Sequence, residues 1–277
     1  MYEFIMPIFP YLLGILGLIV GSFLNVVILR QQKNMTLGGR SHCPHCKTTL
    51  KWYELIPVVS FLIQLGRCRT CRTKISLQYI GVELLTGILF FGMGSFLINS
   101  LFVEFLSLGF FTALFGLIAT FSFAICIIVF DVKTKTVPLN WFLGLVISSI
   151  VYLLGIYNFQ FSSDVIFSHI TGIIVAVPFF AIWIFSEGRV IGFADIEIMA
   201  WIGLFFGVMA GISTILVAFY VGAIMSLLFV FYKLARGFTY SQIRTIQIPF
   251  TPFLITAWFG ALLFSWNIFS LFARLFL

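Results

Sequence analysis

Apolar stretches long enough to cross about 30 Å of hydrocarbon recur along nearly the whole chain, near 8–29, 79–98, 108–130, 139–157, 165–186, 195–210, 212–232 and 250–276. A bilayer core offers no water to satisfy backbone N–H and C=O groups, so a chain patterned this way must close its hydrogen bonds within helices. The expectation is an all-α polytopic membrane protein of about eight transmembrane helices. The composition, 61% hydrophobic and 9% charged with a mean hydropathy of +1.15, lies far from that of a soluble domain. The first stretch has no basic segment before it and runs into Gly21-Ser22-Phe23-Leu24-Asn25 without a small-residue cleavage site. It therefore reads as a retained helix, with Gly21, Ser22 and Asn25 turned towards other helices.

Basic residues orient the chain, because short cytoplasmic loops hold Lys and Arg. With the N-terminus outside, the inward loops collect Arg30, Lys33, Arg40, Lys47, Lys51, Arg67, Arg69, Arg72 and Lys74, then Lys133 and Lys135, then Arg189, then Lys233, Arg236 and Arg244. Only Arg274 is left outside, and the short outward connections carry acids such as Glu104 and Asp164. The net charge of +7 is then a positive inner face and calls for no nucleic acid.

Polar residues concentrate between Arg30 and Gln78. This gives the expected organisation: a first transmembrane helix over 1–29, a cytoplasmic loop domain over 30–78, and a transmembrane core over 79–277. Within the loop, Val58-Val59-Ser60-Phe61-Leu62-Ile63 is apolar but too short to span, so it packs on the membrane surface or into the loop's own core. Cys43-Pro44-His45-Cys46 and Cys68-Arg69-Thr70-Cys71 form two C-x2-C knuckles. Four thiolates at this spacing suit a tetrahedral structural zinc site on Cys43, Cys46, Cys68 and Cys71. Two disulfides are the other reading, which a reducing compartment disfavours. His42 and His45 read as surface residues beside the four thiols, and Cys126, within an apolar helix, as a packing residue.

An acid in a span needs a reason, since insertion near the bilayer centre costs about 2.5–3.5 kcal/mol. Glu83, Asp131, Asp195 and Glu197 qualify. The charge-based orientation puts Asp131 and Asp195 at cytoplasmic ends of two different helices, where they can meet. Paired carboxylates divide into a protonated and an ionised partner, the arrangement water-activated peptide hydrolysis uses. Asp195 as a helix-start residue and Asp131 paired with Lys133 or Lys135 remain the alternative. Glu83 fits a contact between helices or part of a cofactor pocket, Glu197 a residue facing a water-filled cleft, and His169 an interfacial position. The two prolines of Ile248-Pro249-Phe250-Thr251-Pro252-Phe253-Leu254 fit either a broken-helix peptide edge or ordinary punctuation of a helix start.

In order along the chain, these motifs resemble the bacterial type IV prepilin peptidases. Gly21-Ser22-Phe23-Leu24-Asn25-Val26-Val27 is similar to that family's first-helix signature, and the knuckles flanking Trp52-Tyr53-Glu54-Leu55-Ile56-Pro57 to its cytoplasmic loop. Glu83-Leu84-Leu85-Thr86-Gly87 resembles the opening of its second helix, and Pro249-Phe250-Thr251-Pro252-Phe253-Leu254 its last motif. The family's catalytic aspartates fall on Asp131 and Asp195. The second glycine of its G-x-G-D motif is Ala194 here, Glu197 stands where the family often has lysine, and Gln31-Gln32 replace a common Leu-Pro.

The resemblance implies an aspartyl endopeptidase of the bacterial cytoplasmic (inner) membrane, multi-pass, with its active site facing the cytoplasm. Its substrates would be prepilins or pseudopilins of type IV pilus, protein secretion or competence systems, whose short basic leader is cleaved off after a glycine at the cytoplasmic edge of a hydrophobic helix. Bifunctional members then N-methylate the new N-terminus from S-adenosylmethionine, and the cysteine loop favours that form. The Gly-rich loop of a soluble nucleotide-binding fold is missing, so the resemblance assigns no methyl-donor residues. Membrane lipid is an expected partner, and the sequence leaves oligomeric state open. An ion-coupled transporter or a non-catalytic scaffold for secretion or pilus assembly is the alternative reading.

Overall fold

The computed structural model describes residues 6–100, 107–244 and 246–264, apart from the side chains of Tyr240 and Arg244. Glu104 and Arg274, both placed outside by the charge pattern, lie beyond the described residues, as does the end of the last apolar stretch. The helices are α1 (Phe9–Gln32), α2 (Val59–Ile63), α3 (Leu77–Ser100), α4 (Leu108–Thr134), α5 (Leu139–Ile156), α6 (Ser163–Gly172), α7 (Val177–Phe185), α8 (Phe193–Phe206), α9 (Val208–Ala235), α10 (Tyr240–Arg244) and α11 (Thr251–Phe264). A single 3-10 turn, Ile173–Ala176, joins α6 to α7.

Among the described residues, six helical stretches are long and apolar enough to cross a membrane: Phe9–Gln32, Leu77–Ser100, Leu108–Thr134, Leu139–Ile156, Ser163–Phe185 and Val208–Ala235. The expected count of eight is not reached. The stretches near 195–210 and 250–276 appear as α8 and α11, each with 14 described helical residues, or about 21 Å at 1.5 Å per residue. The last stretch runs on past the described residues, whereas α8 is cut by its backbone. Gly207, at φ 77°, adopts a conformation costly for any residue with a Cβ, and it ends α8 and starts α9 in one step.

The chain groups into two compact units, Met1–Cys126 with Asn140–Phe159, and Ile127–Leu139 with Gln160–Leu277. In the first, α1 and α3 pack antiparallel through small residues. A Cβ on Gly17 would sit 2.6 Å from the Thr86 carbonyl oxygen, and one on Gly21 would sit 2.8 Å from the Glu83 Cα. Hydrocarbon offers no hydrophobic drive between helices, so close backbone approach and buried polar contacts hold such a pair. The fully buried Asn25 donates to the carbonyls of Gly21 (3.3 Å) and Tyr79 (3.1 Å). In α4 and α5, Gly116 lies against the Tyr152 backbone and Thr120 donates to Ser148 (3.1 Å). Cys126 is buried in α4 without a polar role, as its apolar surroundings predict.

The second unit holds the two shorter helices. α6 crosses α8 at a pair of glycines so close that a Cβ on Gly172 would fall 1.9 Å from the Gly203 carbonyl oxygen, and one on Gly203 2.1 Å from that of Gly172. α11 docks on α8 through two fully buried indoles, Trp201 and Trp258, with ring centroids 4.8 Å apart. Both contacts fix α8, the helix that carries Asp195.

Candidate active site

Asp131 lies in the last turn of α4. Its carbonyl accepts from Lys135 N–H at 2.8 Å, and Lys135, at φ 57°, closes the helix in the left-handed conformation. The Asp131 side chain is 5% exposed, and its Oδ2 is buried with no hydrogen-bond partner. Lys135 turns to the Gln247 Oε1 (3.5 Å) instead of pairing with Asp131.

Asp195 is the third residue of α8, whose N-cap is Gly192. From there its carboxylate reaches back to the Gly192 backbone N–H, one half of a capping box. Its Oδ1 accepts from the Thr251 Oγ1 at 2.8 Å, and the Thr251 backbone N–H also reaches the carboxylate. The packing of this unit brings Asp195 near enough to Asp131 for its charge to act on that carboxyl. Asp195 is thus a helix-start residue, as one reading of the sequence had it, and its charge also acts on Asp131. Thr251, at the first position of α11 and 1% exposed, is the neighbour that sequence reasoning missed. Its motif carried a resemblance, but no spacing rule links positions 56 apart.

The other acids separate. Glu83 is buried in α3 and accepts from the Val58 N–H at 2.7 Å, where Val58 is held at φ 61°, an uncommon backbone for a β-branched residue. It therefore ties the start of α2 to the helix pair. Glu197 is half-buried on α8, two residues beyond Asp195. The Nδ1 of His169 meets the Leu204 carbonyl oxygen at 2.9 Å and so belongs to the α6–α8 contact. Pro249 precedes α11 and Pro252 is its second residue, a position where a missing N–H costs nothing.

The four knuckle cysteines lie with their sulfurs all within 4.8 Å of one another. Cys43 and Cys71 are 3.9 Å apart and Cys46 and Cys68 4.0 Å, so none is disulfide-bonded. A tetrahedral zinc with Zn–S of about 2.3 Å sets sulfurs about 3.8 Å apart, so the donor set fits that ion. The knuckles repeat each other locally. The backbone carbonyls of Cys43 and Cys68 accept from the N–H groups of Lys47 and Arg72, which take φ 60° and 58°. Isolated bridges His42–Thr49 and Arg67–Lys74 close the two hairpins. Bonding to Thr73 and Thr48 lowers the thiols of Cys71, to about 6, and Cys46, while burial pushes Cys43 up to about 11. His42 and His45 are exposed. The apolar segment before the second knuckle becomes α2 with its side chains facing outward, Leu62 at 59% and Ile63 at 77% exposed, so it forms no core for the loop.

Residues 15–96 match the bacterial peptidase A24 N-terminal domain and residues 118–227 the type IV leader peptidase family. A Vibrio cholerae protein named prepilin leader peptidase/N-methyltransferase is 32% identical over 73% of this chain and 79% of its own length. A Xanthomonas campestris protein of the same name is 31% identical over 94% of this chain and 91% of its own. A shorter match, 52% identical, covers 31% of this chain and 26% of a Myxococcus xanthus protein of that name; the chain likewise spans 37% of an Escherichia coli prepilin-processing relative. No solved structure matches the chain. Two successive family matches and relatives more than 30% identical over most of both chains lead to one conclusion: the chain belongs to the type IV leader peptidase family.

Proposed function

We propose that this membrane protein is an aspartyl endopeptidase that removes the leader of a type IV prepilin or pseudopilin and then N-methylates the new N-terminus. What supports this reading is that Asp131 and Asp195, from helices far apart in sequence, belong to one packed unit in which the charge of Asp195 acts on the Asp131 carboxyl. Of the two, Asp195, which accepts from the Thr251 hydroxyl, would be the ionised partner and act as general base on a water. The buried Asp131 Oδ2, with no donor, is the place for the shared proton, which would hydrogen-bond the scissile carbonyl and later pass to the leaving amine. The pair titrates as a unit. The positive-inside pattern supports a position for both carboxylates at the cytoplasmic face of the inner membrane, where a leader that precedes a hydrophobic pilin helix would arrive.

Zinc on Cys43, Cys46, Cys68 and Cys71 would act structurally, because with four ligands it has no open position and it would clamp two hairpins that lack an apolar core. Methyl transfer would take S-adenosylmethionine as co-substrate, and its binding residues are not assigned. The deciding experiment is incubation of the purified protein with a candidate prepilin, with and without S-adenosylmethionine, followed by mass spectrometry of the product. A leaderless, methylated N-terminus is expected; an intact leader under conditions where the protein is folded would sink the reading.

A further inference from the structure

Nearly every threonine hydroxyl inside a helix of this protein bonds backward to the carbonyl four residues earlier: Thr86 to Val82, Thr112 to Leu108, Thr120 to Gly116, Thr134 to Phe130, Thr171 to Phe167, Thr214 to Ala210 and Thr256 to Pro252. That is the default for a helical hydroxyl away from water. Thr251 differs because it is the first residue of α11, so the helix offers no carbonyl one turn behind it. Its hydroxyl, 1% exposed, donates to the Asp195 carboxylate at 2.8 Å.

The rest of α11 makes this contact stiff. Trp258, two turns further on, packs tilted at 4.8 Å on Trp201 of α8 and edge-on at 5.1 Å on Phe205, while Phe250, just before the helix, packs at 4.8 Å on Phe219 of α9. A Cβ on Gly222 of α9 would stand 3.1 Å from the Phe250 ring, so the start of α11 is closely seated. Thr251 also lies outside the segment matching the leader peptidase family, which ends at residue 227.

We propose that Thr251 is the positioning residue for Asp195: its hydroxyl holds the carboxylate in the rotamer that meets Asp131, so that α11 sets the geometry of the catalytic pair. This rests on the peptidase reading. A valine has the same shape as threonine but no donor, so the Asp195 carboxylate would lose one of its anchors. A displacement of about 1 Å at a reacting group costs on the order of 100-fold in rate.

The test uses the full-length protein with a prepilin substrate and compares Thr251→Val, Thr251→Ala and Thr251→Ser with Asp131→Asn and Asp195→Asn. The expected result is a fall in kcat of about 10- to 100-fold for Val and Ala, KM within about 2-fold, and Ser within a few-fold of the parent. A packing role alone would spare Val, which keeps the volume, and would not separate kcat from KM. Should Val fail to fold, the contrast of Ala with Ser decides. Parental kcat in Thr251→Val, or equal loss in Ser and Ala, would overturn the proposal while inactive aspartate variants left the peptidase reading standing. Full cleavage by Asp131→Asn or Asp195→Asn would overturn both.

Discussion

The cysteine knuckles of the first unit and the aspartate pair of the second solve the same problem, bringing like-charged groups together, by opposite means. The knuckles use short range. Four sulfurs from two hairpins converge within one segment, and each hairpin is shaped by its own left-handed residue and threonine. Such a cluster has little apolar support, since α2 beside it points its side chains outward. The aspartates use long range. Positions 195 and 251 come together because α6, α8 and α11 are packed through glycine and tryptophan contacts. The first arrangement should therefore depend on a bound ion and the second on packing and on a proton.

The largest effect expected is on the aspartates. Asn keeps the size of Asp and most of its helix-capping ability but cannot titrate, so Asp131→Asn and Asp195→Asn should each lower cleavage by about 1,000-fold or more, with the protein still in the membrane. Methylation of an already cleaved pilin should survive Asp195→Asn, because a free amine needs no activated water. Parallel cleavage and methylation assays on the same preparations check both statements, and joint loss of the two activities would make Asp195 structural.

Next in size is the metal. One zinc per chain is expected by elemental analysis, lost in Cys68→Ser, with proteolysis then confined to the segment between α1 and α3. The pH dependence follows from the thiols. Without metal Cys43 keeps its proton up to about 11, whereas Cys71 is a thiolate above about 6. Binding must release protons, so affinity should fall as pH falls, by at least about tenfold per unit near neutrality and more steeply below about 6. A flat affinity from pH 8 to 5.5 in a competitive chelator titration would contradict thiolate ligation.

Smaller still is the glycine crossing. Gly203→Ala puts a Cβ against the Gly172 backbone and should cost about 1–3 kcal/mol. Gly81→Ala, with open space around it on α3, should be neutral or stabilise by up to about 1 kcal/mol. Thermal unfolding in detergent separates them, and equal shifts would refute close packing as the support of the second unit. Smallest is Glu83. Glu83→Gln retains an acceptor for the Val58 N–H and should change stability by less than about 1 kcal/mol, whereas Glu83→Leu strands that donor at about 1–3 kcal/mol. Limited proteolysis near α2 would register the difference.

By itself the sequence determined that the chain is helical and membrane-embedded, that four cysteines form one cluster, and which few acids stand within apolar helices. Those features are local. A run of apolar residues, a C-x2-C spacing or a carboxylate among leucines carries its meaning within some twenty residues. It also placed α8 but read it as a full span, because hydropathy does not register the positive φ of Gly207 that cuts the helix. Only the tertiary structure decided that Glu83 ties down Val58, that Asp195 stands at a helix start with its charge acting on Asp131, and that Thr251 donates to it. The reason is that a hydrogen bond between residues 56 apart leaves no periodic trace in either segment. It exists only once glycines let the backbones approach and buried indoles fix the register of the helices.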